Sequence, residues 1–333
     1  MFGPFWIWAT RVWRFFLVSS LTLSTFAHAQ GKEETSSTPT QLPDPHLSSL
    51  SSSQWVRIPA PGEFYLVMNK SKNELSVHSF ADNQILRSYR AITGLNSGDK
   101  EREGDMKTPE GIYFVEAPVP QKKLLALHGP AAFELNYPNV VDRIFHRNGK
   151  GIWIHGVDHE SRMQKSFDTR GCIAVSNGDI LDLKKVLSFK NIPIVIFEKE
   201  IPDVVFGIEN AGGPLHQRVI DWVAAWSSMD VEKYLAFYST DFYSRKMDYE
   251  AWRKYKTRLT KQYKKIEVKV DDLKILRHGK YSVAIFNQIY DSGVYHVKGR
   301  KRLYLIGDGP TAQILAEEAI DDSVQVAETT ARN

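Results

Sequence analysis

A cluster of backbone breakers, Gly207, Gly212, Gly213 and Pro214, cuts the 333-residue chain into two stretches whose apolar residues repeat with different periods. Such clusters end regular elements on both sides, so the segment is expected to connect two domains of different character. From Trp55 to Glu200 the chain carries short β-prone runs between Gly, Asn and Pro turns: Phe64 to Met68, Glu74 to Ser79, Ile112 to Val115, Gly151 to Ile154 and Ile192 to Phe197. One helix is expected there, Asn177 to Leu187, with Asp179 in its first turn and Ile180, Leu183 and Leu187 along one face. Beyond the breakers, His216 to Trp226, Val231 to Tyr238 and Tyr249 to Tyr263 read as helices. Three strand-like runs follow, Ile266 to Leu276, Tyr281 to Tyr290 and Arg300 to Ile306. The expectation is a mostly β domain over 55–200, a connector at 201–214, an α+β domain over 215–317 and a tail at 318–333.

The N-terminus reads as an export leader over 1–29. Arg11 and Arg14 precede an apolar stretch from Phe15 to Phe26, and Ala27, His28 and Ala29 form a small-x-small cleavage site. The apolar stretch is shorter than the ~20 residues of a spanning helix, so no membrane span is expected after cleavage. Residues 30–54, rich in Ser, Thr, Pro and Gln, lack the apolar surface to offset ordering entropy and read as a disordered spacer. The expected location is the periplasm or cell envelope, which argues against a nucleic-acid partner. The formal charge of +4 is unevenly spread: Leu215 to Leu305 holds 19 Lys and Arg against 10 Asp and Glu, a net +9. That excess offers a surface for an anionic envelope polymer.

Cys172 is the only cysteine, which excludes an intramolecular disulfide and any metal site built on several thiolates from this chain. A lone thiol in an oxidising compartment calls for a chemical reason. Thiol chemistry needs a base beside the sulfur, and His155 ends a β-run upstream while Cys172 sits between Gly171 and the β-prone Ile173 to Val175. Two adjacent strands would join them. Gly171 permits an unusual backbone angle and close approach of a substrate carbonyl, and amides around Gly171 and Cys172 would face a developing oxyanion.

The run Thr169, Arg170, Gly171, Cys172, with His155 and Gly156 upstream, resembles the signature of YkuD-type L,D-transpeptidases. A second block agrees: Gly94, Gly98, Asp99, Lys100, Glu103, Gly104, Asp105, then Lys107 to Tyr113. The resemblance spans about Phe64 to Phe197. It implies a β-sandwich-like catalytic domain acting without a cofactor or metal on peptidoglycan stem peptides, after meso-diaminopimelate. Carried over, Cys172 is the nucleophile, His155 its base, Gly156 the carbonyl that orients the imidazole, and Gly171 part of the oxyanion hole. Ala174 departs from the arginine of many members, and Arg170 takes the place of a common histidine. Arg170, beside Thr169, is the candidate for a substrate carboxylate.

Within the family the sequence is similar to the branch of peptidoglycan L,D-carboxypeptidases with a C-terminal domain of the nuclear transport factor type, a cone of helices on a curved sheet. The resemblance implies a carboxypeptidase giving tripeptides. Its alternatives are cross-linking or protein attachment, release of a wall-linked lipoprotein, and a non-catalytic wall-binding scaffold. Asp221, Asp241, His278 and His296 form no convincing acid–base pair. His159 with Asp158, and His128 and His146, read as solvated loop residues, and Tyr137 and Trp153 as core or groove aromatics.

Overall fold

A computed structural model describes residue 55 and residues 57–200 and 206–328, with side chains to residue 320; the leader 1–29 and spacer 30–54 lie outside the described residues. The first domain holds nine strands: β1 (Phe64–Asn69), β2 (Glu74–Ser79), β3 (Ile85–Gly94), β4 (Gly111–Pro118), β5 (Ala132–Leu135), β6 (Trp153–His155), β7 (Phe167–Thr169), β8 (Ile173–Val175) and β9 (Ile192–Phe197). Two helices accompany them, α1 (Val140–Ile144) and α2 (Asn177–Leu187). The sheet order β2-β1-β9-β4-β5-β6-β8-β3-β7 closes through a further β2–β3 pairing, giving a barrel-like sheet. The predicted helix matches α2, which starts one residue after Ser176, whose side chain accepts from the Asp179 amide.

Ile180, Leu183, Val186 and Leu187 of α2 join Phe64, Leu66 and Met68 of β1 and Ile192, Ile194 and Ile196 of β9 in one core. The alternate residues Tyr65, Ile112, Phe114, Val195 and Phe197 face the other way, into a second core. Strands β1, β4 and β9 are therefore covered on both faces. That explains why β9 reads Ile-Pro-Ile-Val-Ile-Phe without a polar alternate.

The second domain contains β10 (Gly207–Glu209), α3 (Pro214–Ser227), α4 (Val231–Leu235), β11 (Tyr243–Ser244), β12 (Met247–Asp248), α5 (Tyr249–Gln262), β13 (Glu267–His278), β14 (Tyr281–Asp291), β15 (Tyr295–Ile306) and β16 (Gln313–Glu328). Its five-stranded sheet runs β10-β13-β14-β15-β16. One face packs Ile275, Ala284, Phe286 and Leu303 against Trp222, Tyr234 and Trp252 of the helices. The intervening residues Leu276, Val283, Ile285 and Tyr304 fill the core shared with the first domain. This period-two division makes the sheet the wall between helices and barrel.

Two boundaries differ from the expectation. Within the proposed connector, Gly207–Glu209 forms an edge strand on β13, and Pro214 is the first residue of α3. The Glu209 carboxylate accepts from the Leu215 and His216 amides at 2.9 and 3.2 Å, capping that helix. A side chain on Gly213 would meet this carboxylate at 2.5 Å, so the glycine serves a cap and not a flexible joint. The proposed tail also carries structure, because β16 stays paired with β15 as far as Glu328.

The two domains are bolted together by polar contacts inside the shared core. The buried Tyr281 hydroxyl donates to Ile112 O at 2.9 Å and accepts from Ile112 N at 2.7 Å and Asn139 Nδ2 at 3.0 Å. His278 Nε2 lies 3.1 Å from Ile196 O, and Lys280 pairs with Asp99. His278 thus serves the interface.

Candidate active site

Strands β6 and β8 are parallel neighbours, with Ile154 opposite Ile173 and His155 opposite Ala174. Ile154, Ile173 and Val175 point into the barrel core. Alternation places His155, Ala174 and Cys172, one residue before β8, on the opposite face. The register thus brings the two residues of the signature to one surface although they are distant in sequence.

The loop bearing Cys172 is held by threonines. The Thr169 hydroxyl donates to Cys172 O at 2.7 Å and accepts the Gly171 amide at 3.1 Å, while Thr108 Oγ1 accepts the Gly94 amide at 2.9 Å and lies 3.5 Å from Cys172 O. Gly171 has φ +122°, and a Cβ there would lie 2.7 Å from Lys107 O. Only glycine lets the cysteine loop lie this close to the 94–108 segment. That segment is organised by Asp105, whose carboxylate accepts from Lys100 Nζ and from the amides of Glu101, Arg102 and Lys107. Burial opposes its ionisation, yet Lys100 and the amides together hold its pKa well below the usual carboxylate range. The second sequence block therefore braces the first.

Cys172 is half-buried, its Sγ 3.5 Å from Gly151 O, and burial pushes its thiol pKa up against the lowering effects of the Trp153 backbone and Lys100. His155 is 2% exposed, and its Nδ1 is 2.5 Å from Gly156 O. Burial pushes its pKa down to about 4, more than the Gly156 carbonyl restores, and His128 and Arg162 lower it further. At neutral pH the pair rests as a neutral thiol and a neutral imidazole. With Nδ1–H donated to the carbonyl, Nε2 keeps its lone pair.

The other predicted residues divide. Arg170 is exposed and makes no ion pair or hydrogen bond among the described residues, whereas Thr169 is 5% exposed and spent on the loop. The Gly171 amide is engaged by Thr169, which leaves the Cys172 amide as the loop donor nearest the sulfur. Asp158 pairs with Arg162 at 2.9 Å beside an exposed His159. Tyr137 is buried and donates to Asn148 O at 3.0 Å. His128, read from the sequence as a surface residue, instead lies edge-on to His155 with ring centroids 5.1 Å apart and packs on Trp153 at 4.8 Å. It reaches the site from a short turn, Ala126–His128, whose spacing from His155 carries no sequence signal. Among the described residues, no group of three or more His, Cys, Asp or Glu is placed to hold a metal ion, and no helix is long and apolar enough to cross a membrane.

Two buried histidines predict an acid-sensitive fold. His155 and His278 both titrate at about 4, mainly through burial, against 6.5 for the free side chain. The unfolded chain binds their protons first. Stability is therefore full above pH 6.5 and falls as pH drops towards 4, by roughly 1–3 kcal/mol per histidine. Asp142, raised by burial to about 6, acts in the opposite sense and recovers part of this loss below pH 6. Urea midpoints followed by tryptophan fluorescence should decrease from pH 7 to pH 4.5, and His278→Gln should flatten the slope. A midpoint independent of pH over this window contradicts the assignment.

Comparison with known proteins gives the same division of the chain. Residues 63–196 match the L,D-transpeptidase catalytic domain family, and residues 214–318 match the Cds6 C-terminal NTF2-like domain. YqjB of Bacillus subtilis, a protein assigned to the L,D-transpeptidases, is 30% identical over 140 residues, covering 41% of this chain and 70% of its own. Two solved structures superpose across both domains. The helical cell shape determining protein Pgp2 of Campylobacter jejuni is 29% identical with TM-score 0.62, covering 77% of this chain and 91% of its own. Bd1075 of Bdellovibrio bacteriovorus is 29% identical with TM-score 0.63, covering 77% and 92%.

Proposed function

Since the chain belongs to the L,D-transpeptidase family, we propose that it is an L,D-carboxypeptidase that shortens peptidoglycan tetrapeptides to tripeptides through a thioester on Cys172. The observation that carries this reading is the β6–β8 register, which sets Cys172 and a neutral, carbonyl-tethered His155 on one face. His155 Nε2 takes the thiol proton as Sγ attacks the carbonyl of the diaminopimelate residue. The Cys172 amide faces the developing oxyanion. Collapse breaks the C–N bond, His155 returns the proton to the leaving D-alanine, and water, deprotonated by the same imidazole, releases the tripeptide. Arg170, exposed and unpaired among the described residues, receives a substrate carboxylate.

The export leader read in the sequence supports a periplasmic or envelope location. The basic second domain, +9 over Leu215 to Leu305, is suited to hold the enzyme on an anionic wall polymer. The full chain incubated with disaccharide tetrapeptide should release D-alanine and accumulate tripeptide, read by mass. New dimers without tripeptide would instead establish cross-linking, and no change in any muropeptide would overturn the enzyme reading in favour of a wall-binding scaffold.

A further inference from the structure

A cleft of about 730 Å³ opens between the two domains. Its first wall comes from β4 and β5. Register slips between Val115 and Ala117, so Glu116 is the extra residue of a bulge next to Glu134, the partner of Ala117. Both side chains are exposed, line the cleft and make no ion pair or hydrogen bond among the described residues. Burial first and then Glu134 raise the Glu116 pKa, against the lowering effects of Arg302 and Arg143.

The opposite wall is the β11–β12 hairpin, whose two-residue turn is Arg245–Lys246. Both residues have positive φ, 51° and 62°, an arrangement normally left to Gly or Asn. Neither makes an ion pair or hydrogen bond among the described residues. Arg302 lines the floor at 7% exposure, its Nε buried without a hydrogen-bond partner. Both walls carry mixed charge, with Arg143 on the first domain and a paired Arg302–Glu318 on the second, but the groups left without a partner differ: carboxylates Glu116 and Glu134 on one side, cations Arg245 and Lys246 on the other. The wall of Glu116 and Glu134 is also the one next to the catalytic pair. Glu134 lies opposite Trp153 on β6, which makes it a diagonal neighbour of His155, about 7–8 Å away along the ladder.

We propose that this cleft is a second peptide site that takes the diaminopimelate end of a peptidoglycan stem, its amine between Glu116 and Glu134 and its carboxylate on Arg245 and Lys246. The proposal rests on the peptidoglycan reading above and adds where a zwitterionic group is held. The cleft volume suits a short peptide. Two sources share this chemistry, the stem being cleaved and a stem of a neighbouring strand.

The test uses full-length Cys172→Ala protein and the free tripeptide L-Ala-γ-D-Glu-meso-diaminopimelate, titrated by calorimetry. Glu116→Gln with Glu134→Gln, and Arg245→Ala with Lys246→Ala, should each weaken binding by about tenfold or more. Acetylating the side-chain amine of the probe should reproduce the loss from the glutamate pair and leave nothing further for that pair to lose. With wild-type enzyme and tetrapeptide, the part of the inhibition by tripeptide that both double variants remove reports on the cleft: a competitive part assigns it to the cleaved stem, and a non-competitive part to a neighbouring one. Tripeptide binding indifferent to both double variants overturns the proposal even where tetrapeptide turnover is intact. Loss of turnover in wild type bears on the proposed function alone.

Discussion

Cys172→Ala should abolish conversion of tetrapeptide to tripeptide, lowering kcat/KM by on the order of 10⁴ or more, while leaving the fold intact. The size of the effect follows from the chemistry, because no other thiol exists in the chain to substitute. Cys172 is the sole cysteine and stands alone on the face it shares with His155 and Ala174. Structural cost should be slight, since the side chain is half-buried and its Sγ approaches Gly151 O only to 3.5 Å. Equal turnover by wild type and Cys172→Ala, measured as D-alanine released, would exclude the thiol as nucleophile.

Gly171→Ala should damage both stability and activity. A methyl group there meets Lys107 O at 2.7 Å and Ile152 Cδ1 at 3.1 Å, and φ +122° is strained for any side chain. Backbone cannot yield as a flexible side chain does, so the expected cost is roughly 2–4 kcal/mol. Displacement of the adjacent Cys172 by about an ångström would remove a further factor of about 100 in turnover. Gly178→Ala is the control: its Cβ would meet only Ser176 Oγ at 3.9 Å, inside α2. Thermal melts and D-alanine release for the two variants should diverge sharply. Gly171→Ala behaving like Gly178→Ala would mean that the cysteine loop is not braced as described.

Local pattern carried much of this fold. The α2 helix, β2 and β9 fall where their periodicity and flanking turns place them, because each signal lies within a dozen residues of sequence. For Cys172 and His155 the sequence shows two β-runs that adjacent strands would join, as the β6–β8 pairing does, while their chemical roles rest on the family resemblance. What sequence did not show is set by long-range pairing. Nothing in Ile192–Phe197 says that β9 inserts between β1 and β4, or that its second face is covered by β13 and β14 of the other domain. His128 reaches His155 through a turn without regular period, and Gly213 reads as part of a connector because its partner, Glu209, belongs to an edge strand only three residues long. The cleft is the extreme case, since Glu116, Glu134 and Arg245 meet only after both domains have docked.

The most direct test of the central claim is the mass of the intact protein, quenched in acid within the first turnovers on disaccharide tetrapeptide. The account predicts an adduct equal to the substrate minus D-alanine, located on the peptide carrying Cys172, absent in Cys172→Ala and removed by hydroxylamine. Tripeptide formation with no adduct at any quench time in wild type, or an adduct on another residue, would contradict it.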